Sequence, residues 1–194
     1  MQMLRYHQRC LPAIVLSAAF MLGGCNSMPQ YTTDYQQARV QQQGVMLDEQ
    51  RALQLANHFV DTFNKLGTAE FIPAAKTLYA SQFFLNDTLS QYRSQSSILK
   101  HFEGMNKRVV YSRVTLVQVT HAGDIAYVHW HMRYDLKFMG RVKSMDSYGI
   151  SELKQNAAGQ IIFQQDFWDP ANGLYRALPY LGGFYQWVLP FKKP

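Results

Sequence analysis

The sequence predicts an α+β fold in which helices from the first half of the chain cover a sheet formed by the second half. Residues 108–170 are strand-forming sequence interrupted only by turn signals. Within them, residues 125–139 alternate between apolar and polar side chains, as a strand with one buried face does. Residues 48–107 instead place apolar side chains three and four positions apart, which is typical of amphipathic helices. Helices followed by strands indicate the segregated layers of an α+β protein.

The chain begins with the features of a bacterial export signal. Arg5 and Arg9 precede an apolar stretch over residues 11–22. This stretch is shorter than the roughly 20 apolar residues that a membrane-spanning helix needs. It ends in Leu22-Gly23-Gly24-Cys25, which resembles the lipobox of bacterial lipoproteins.

The lipobox resemblance implies that residues 1–24 are a lipoprotein signal peptide and that Cys25 becomes the lipidated first residue, with palmitate as an acyl chain. The lipid would hold the protein on the periplasmic face of a bacterial membrane. Asn26, rather than aspartate, follows the cysteine. By resemblance to the sorting rule of Gram-negative lipoproteins, this favours the outer membrane.

Composition sets limits on the rest of the chain. The only two cysteines are Cys10 and Cys25, so the mature domain is expected to lack disulfides and to depend on its core. The formal net charge is +6, but the basic residues are dispersed, which argues against a nucleic-acid partner. Residues 25–46 are polar and rich in glutamine, which predicts a flexible tether.

Three helices and one short strand are predicted before the main sheet. The helices span residues 48–66, 69–79 and 94–107, and the strand spans residues 82–85. Asp48 is the expected N-cap of the first helix and Gly67 its stop, while Ser94 or Ser96 caps the third. The apolar stripe expected to face the core from the first helix consists of Leu53, Ala56, Phe59, Val60 and Phe63.

Four long strands are predicted over residues 109–120, 125–139, 142–154 and 160–168. The last ends at Asp169-Pro170, because proline cannot donate to a strand ladder. On the second of these strands, the face expected in the core carries Ala126, Val128, Trp130, Met132, Tyr134, Leu136 and Phe138. The opposite face, with His129 and His131, is expected to be solvated.

The ending Gln165-Asp166-Phe167-Trp168-Asp169-Pro170 resembles that of SnoaL-like domains, within the nuclear transport factor 2-like superfamily. In that family His-Arg often precedes it, where this chain has Gln164 and Gln165. The resemblance covers residues 47–170. It implies a cone-shaped fold in which a strongly curved mixed or antiparallel sheet wraps around three N-terminal helices and encloses an apolar pocket. Members include ketosteroid isomerase, polyketide cyclases, limonene epoxide hydrolase and non-catalytic domains, so the fold does not determine the function.

Asp166 is the candidate catalytic residue, because the resemblance implies a general acid/base aspartate in this region and a desolvated carboxyl can exchange protons near neutral pH. The candidate pocket residues are Trp130, Tyr134, Phe167 and Trp168. Strand alternation requires that Asp166 and Trp168 share one face. A capping or ion-pairing role for Asp166 is the simpler alternative. No cofactor and no metal are predicted, since His129 and His131 have no third ligand nearby in the sequence.

Residues 171–194 form an aromatic C-terminal tail that either covers the pocket as a lid or contacts the membrane. Three functions stay open from the sequence. The favoured one is a membrane-anchored lipoprotein that binds a small apolar or lipid-like ligand without catalysis. The alternatives are a cyclase- or isomerase-type enzyme that uses Asp166, and an assembly module, such as a homodimer, that pairs through its sheet face.

Overall fold

The computed structural model describes residues 31–177. The chain divides into two units, residues 1–36 and 37–194, and of the first only the start of a helix is described. The helices are α1 (Tyr31–Gln41), α2 (Glu49–Phe63), α3 (Phe71–Leu78), α4 (Gln95–Asn106) and α5 (Pro170–Gly173), followed by a 3-10 turn at Tyr175–Ala177. Among the described residues, no helix has the length and apolar character needed to cross a bilayer.

Six strands form one mixed sheet. They are β1 (Tyr79–Asn86), β2 (Gln91–Ser94), β3 (Val109–Ala122), β4 (Ile125–Phe138), β5 (Arg141–Gln155) and β6 (Ile161–Trp168). Their order across the sheet is β2-β1-β6-β5-β4-β3. All neighbours are antiparallel except β1 and β6, which are parallel. The sheet is not closed into a barrel, and the predicted α+β fold is confirmed.

The turn between β4 and β5 fixes which side chains face the helices. Met139 and Gly140 both have positive φ, 48° and 75°, as a two-residue hairpin loop matched to strand twist requires. From the pair Phe138–Arg141 the register runs without a bulge to Ala126–Leu153. A slip by one residue would turn every side chain over. The predicted inner face of β4 is confirmed, with Ala126, Val128 and Trp130 buried.

Helix α2 begins at its predicted cap but ends at Phe63 with Asn64 as its C-cap, before the predicted stop at Gly67. Asp48 Oδ1 accepts a hydrogen bond of 2.8 Å from the Arg51 backbone N–H, which confirms it as the N-cap of α2.

The expectation that Leu53 is buried is wrong, since it is 43% exposed. One residue of an α-helix turns by about 100°, so Leu53 lies beside the buried stripe that contains Ala52 and Ala56.

Strand β2 was not predicted from the sequence. It is four residues long, lies at a sheet edge and is made of Gln91-Tyr92-Arg93-Ser94. Such a segment is too short and too polar to show alternation. Its position follows from pairing with β1, where Leu85 lies opposite Tyr92.

The prediction of a flexible tether over residues 25–46 requires correction. Tyr31–Gln41 is a helix, and the Nζ of Lys154 on β5 donates hydrogen bonds to the Arg39 and Gln42 carbonyl oxygens at 2.7 and 3.0 Å. The backbone N–H of Val45 also donates to the Gln155 carbonyl oxygen at 2.9 Å. Polar contacts to the sheet, rather than an apolar stripe, hold this segment, so the sequence pattern did not reveal it. Residues 25–30 lie outside the described part of the chain.

The core lies between the inner face of the sheet and helices α2, α3 and α4. Phe63 is partly buried and packs against this core, with its ring centroid 4.9 Å from that of Phe59 and 5.8 Å from those of Phe71 and Phe102. Phe59, Phe63 and Phe102 also border a cavity that lies between the helices and the sheet.

Candidate functional site

An apolar cavity of about 300 Å³ lies between the inner face of the sheet and helices α2 and α4. Trp130 and Tyr134 line it from β4, Trp168 lines it from β6, and Phe59 and Phe63 line it from α2. This volume is at the lower end of the range for small-molecule sites. The cavity is therefore the candidate functional site.

Strand β6 brings a carboxyl group into this apolar space. Gln164, Asp166 and Trp168 alternate with Gln165 and Phe167 along the strand, and the first three line the cavity. Asp166 is only 8% exposed, and Trp168 lies beside it on the same face. Burial of a carboxyl group is costly unless it is hydrogen-bonded or protonated.

Three hydrogen bonds reach the Asp166 carboxyl group. The Ser151 hydroxyl donates to Oδ1 at 2.6 Å. The Gln164 amide Nε2 donates to both carboxyl oxygens, at 3.0 Å to Oδ1 and 2.9 Å to Oδ2. Oδ1 thus has two donors and Oδ2 has one. A proton on Oδ2 would therefore compete with fewer hydrogen bonds than a proton on Oδ1.

Burial raises the pKa of Asp166 to about 7. The hydrogen bonds from Ser151 and Gln164 act in the opposite direction, and the negative charge of Asp87 raises the pKa further. Both protonation states are therefore populated near neutral pH. The neutral acid can donate a hydrogen bond into the cavity, and the carboxylate can accept a proton there.

Two buried side chains fix the donors around Asp166. The Tyr79 hydroxyl donates to Gln164 Oε1 at 2.7 Å, which turns the amide Nε2 toward Asp166. The indole N–H of Trp130 donates to Ser151 Oγ at 2.9 Å, so the serine proton is directed at the carboxyl group. Burial raises the pKa of Tyr79 well above its usual value, which keeps it a phenol donor. The acid is consequently held in one orientation.

The open end of the cavity carries a second acid. Asp87, in the β1–β2 loop, has its Oδ2 at 3.9 Å from Nε2 of His101 on α4. Both side chains are partly exposed and both line the cavity. The indole N–H of Trp168 donates to the Asp87 carbonyl oxygen at 2.8 Å. This bond ties the open end to the strand that carries Asp166.

The sequence profile of the SnoaL-like domain family matches residues 56–162, which is more than half of the chain. The chain belongs to the SnoaL-like domain family. Comparison with curated protein sequences gives no significant match.

Solved structures share the fold of this SnoaL-like chain. A protein from Shewanella denitrificans assigned as a SnoaL-like polyketide cyclase is 14% identical, with 62% of this chain and 92% of that chain covered and a TM-score of 0.54. An LEH-like epoxide hydrolase from Mycobacterium tuberculosis is 14% identical over 73% and 98% of the two chains, with a TM-score of 0.54. AclR from Streptomyces galilaeus, assigned as a hydroxylase, is 14% identical over 75% and 87%, with a TM-score of 0.56. Identities this low show the fold alone.

Most of the predicted site residues meet in the SnoaL-like cavity. The structure places Asp166, Trp130, Tyr134 and Trp168 together on its wall. Phe167 requires correction as a pocket residue, since its side chain is 44% exposed on the opposite face of β6. Strand alternation is the reason, because it cannot direct Asp166 and Phe167 to the same side.

Three residues of the site were missed from the sequence. Gln164 is two positions before Asp166, and that spacing was a usable signal for a shared face. Ser151 and His101 carried no such signal, since only the pairing of β5 with β6 and the packing of α4 bring them to the site.

Some predictions lie at or beyond the limits of the described residues. Cys25 and residues 178–194 are outside them. The described start of the tail contributes Leu174 to the cavity wall, and the Gly173 carbonyl oxygen lies 3.5 Å from the Tyr134 hydroxyl. Within residues 31–177, no three His, Cys, Asp or Glu side chains come together as metal ligands would.

Proposed function

We propose that this SnoaL-like chain binds a small apolar ligand in its cavity and does so without catalysis. The observation that carries the proposal is the apolar cavity of about 300 Å³ with a single fixed carboxyl group at its inner end. The apolar walls supply most of the binding free energy through loss of water contact. Asp166 supplies one hydrogen bond that orients the ligand.

The proposal includes attachment of the domain to a bacterial membrane through lipid on Cys25. The lipobox Leu22-Gly23-Gly24-Cys25 supports it. With Asn26 after the cysteine, the periplasmic face of the outer membrane is the proposed location. An apolar ligand would partition into that membrane and would reach the cavity from its surface.

Native mass spectrometry of protein extracted from its own membrane tests the binding proposal. Leu89 lines the cavity yet is 44% exposed, so Leu89→Trp can obstruct the opening without disturbing the core. Val117→Trp is the matched control, because Val117 is 48% exposed on β3 and does not line the cavity. We expect co-purifying ligand mass in the wild type and the control and its loss in Leu89→Trp. Equal ligand in all three would place the ligand elsewhere, and no ligand in any would contradict the proposal.

An enzyme of the cyclase or isomerase kind is the second candidate. The observation that favours it is the pKa of about 7 for Asp166, which suits a group that removes a proton from carbon and returns it. Asp166→Asn keeps the shape of the side chain and removes the acid. An enzyme would bind its substrate but lose turnover by about 10²–10⁴-fold. A binder would keep both its ligand and its biological effect.

Self-association through the outer face of the sheet is a third candidate. Tyr148, Ile150 and Phe167 are each more than 40% exposed, and Ile150 lies opposite Phe167 in the β5–β6 ladder. Three adjacent apolar side chains on one face suit a homodimer. Sedimentation of the wild type and Ile150→Lys should separate dimer from monomer. If both proteins sediment as monomers, self-association through this face is excluded.

A further inference from the structure

The polar groups that line the cavity are strongly biased in charge. Two are carboxyl groups, Asp166 at the inner end and Asp87 at the open end. His101 is the only basic side chain on the described wall, and neither lysine nor arginine is among the described lining residues. An anion entering this cavity would lose its hydration and would find no guanidinium or ammonium partner among the described residues of the wall.

The carboxyl group of Asp87 is fixed in place. Its Oδ1 accepts hydrogen bonds from the backbone N–H groups of Leu89 at 2.9 Å and Ser90 at 2.7 Å. The same loop is tied to β6, because the Thr88 hydroxyl donates to the Asp166 carbonyl oxygen at 2.8 Å. Asp87 therefore cannot swing into solvent when a ligand passes without breaking these bonds.

His101 does not offset this bias. Its Nε2 lies 3.9 Å from Asp87 Oδ2, and its ring packs against Tyr92 with centroids 5.1 Å apart. The imidazole is thus paired with Asp87 and does not offer an unpaired positive charge to an anionic ligand. The open end thus presents at most a neutral pair.

We propose that the cavity selects neutral apolar ligands over anionic ones, and that Asp87 at the open end sets this selectivity together with Asp166. A carboxylate in a region of low dielectric repels an anion, and burial of an unpaired anion costs more than burial of a hydroxyl or carbonyl group. The inference rests on the proposed binding function and narrows its ligand. The proposed ligand is an apolar molecule whose polar groups are hydroxyl or carbonyl oxygens. Free fatty acids and phosphate headgroups, which are anionic, would be excluded from the cavity.

Two matched fluorescent probes test the selectivity. N-phenyl-1-naphthylamine is neutral, and 8-anilino-1-naphthalenesulfonate has the same ring system with an added sulfonate. Trp130 and Trp168 both lie in the cavity wall, so fluorescence energy transfer from these tryptophans to a probe would report binding in the cavity. Trp187→Phe removes the third tryptophan of the chain, so that only these two act as donors. We expect the neutral probe to bind at least about tenfold more tightly than the sulfonate, as like-charge contacts of this kind predict.

Asp87→Asn assigns the effect to its residue. Asparagine can still accept the two backbone hydrogen bonds through its oxygen, so the loop keeps its shape. We expect the dissociation constant of the sulfonate to fall several-fold in Asp87→Asn, and by a larger factor than that of the neutral probe. Asp61→Asn is the control for net charge, because Asp61 is an exposed residue of α2 that does not line the cavity.

The possible results separate the two proposals. Equal affinity of both probes for the wild type, or the same sulfonate affinity in Asp87→Asn and Asp61→Asn, would overturn charge selectivity and leave the binding function standing. If neither probe receives energy from Trp130 and Trp168, the proposed binding function fails, and the selectivity fails with it.

Discussion

At the scale of single residues, the chemistry of Asp166 is set by neighbours that are distant along the chain. Ser151, on a strand adjacent to that of Asp166, donates a hydrogen bond to the carboxyl group. Tyr79, on another element, donates to Gln164, and Gln164 in turn donates to the carboxyl group. Their hydrogen bonds make a buried carboxyl group tolerable, while the apolar wall keeps its pKa near 7. The group is thus poised between two protonation states without a charged partner in the cavity core.

The raised pKa of Asp166 makes the stability of the domain depend on pH. The native state keeps the proton between about pH 4 and pH 7, while the unfolded chain has released it. Unfolding therefore releases a proton in this window, so the free energy of unfolding falls as pH rises through it. The loss can reach about 4 kcal/mol by pH 8 and is constant above that.

Urea denaturation at pH 5 and pH 8 measures this effect. From pH 5 to pH 8, the free energy of unfolding of the wild type should fall relative to that of Asp166→Asn, because the variant has no group to titrate at this site. Asp61→Asn should follow the wild type, since it leaves Asp166 in place. Parallel pH dependence in wild type and Asp166→Asn would mean that Asp166 titrates as an ordinary carboxyl group.

At the scale of elements, the β4–β5 pair forms the wall of the cavity through close packing of Trp130 on Gly149. These residues are register partners, and a Cβ at position 149 would overlap the indole ring of Trp130. Trp130→Ala should cost about 3–5 kcal/mol of unfolding free energy, because it leaves a cavity and removes the donor to Ser151. Gly149→Ala should cost at least about 1–3 kcal/mol by overpacking.

His131 on the opposite face of β4 is the control for that pair of substitutions. It was expected to be solvated, but its Nε2 lies 2.8 Å from Asp146 Oδ1 and its ring stacks on Tyr148 at 4.4 Å. His131→Ala should therefore cost about 1 kcal/mol, as exposed pairs do. A cost equal to that of Trp130→Ala in chemical denaturation would contradict the assignment of the two faces.

Lys154 fixes the end of α1 and the residue that follows it to the sheet. Its Nζ donates to two backbone carbonyl oxygens and lies 3.0 Å from Asp124 Oδ2. Lys154→Met should cost about 2–4 kcal/mol, because it removes a buried ammonium group and leaves two partly buried carbonyl oxygens and Asp124 without their partner. Amide hydrogen exchange over residues 39–47 should also accelerate. Lys137→Met, at an exposed position of β4, is the control and should change neither the stability nor the exchange rate. Unchanged exchange in Lys154→Met would show that other contacts hold the segment.

At the scale of the whole molecule, the proposed lipid on Cys25 would bring the cavity close to a membrane. Cys25→Ala should leave the precursor uncut and without lipid, because the cysteine thiol is the group that would carry the acyl chain. Membrane flotation and metabolic labelling with a fatty acid analogue measure the two effects. Cys10→Ala, within the predicted signal peptide, is the matched control and should remain lipidated. Processing at position 25 and flotation of the Cys25→Ala variant would contradict lipidation.

The sequence alone determined those features that depend on local pattern. Alternation in residues 125–139 was sufficient to assign the inner face of β4, and Asp48 was recognisable as a cap because its bond spans three residues. The order of the predicted helices and strands, together with the ending around Asp166, indicated the SnoaL-like family. These signals can be read along the chain without knowledge of long-range contacts.

Only the tertiary structure decided what long-range contacts produce. The parallel pairing of β1 with β6, the burial of Lys154 against residues 39–42, and the contact of Ser151 with Asp166 join segments up to 115 residues apart. The pKa of Asp166 belongs to this group, because it depends on a cavity that no single segment encloses. Local sequence reports which face a side chain takes on its own element, whereas packing between elements decides what that side chain meets.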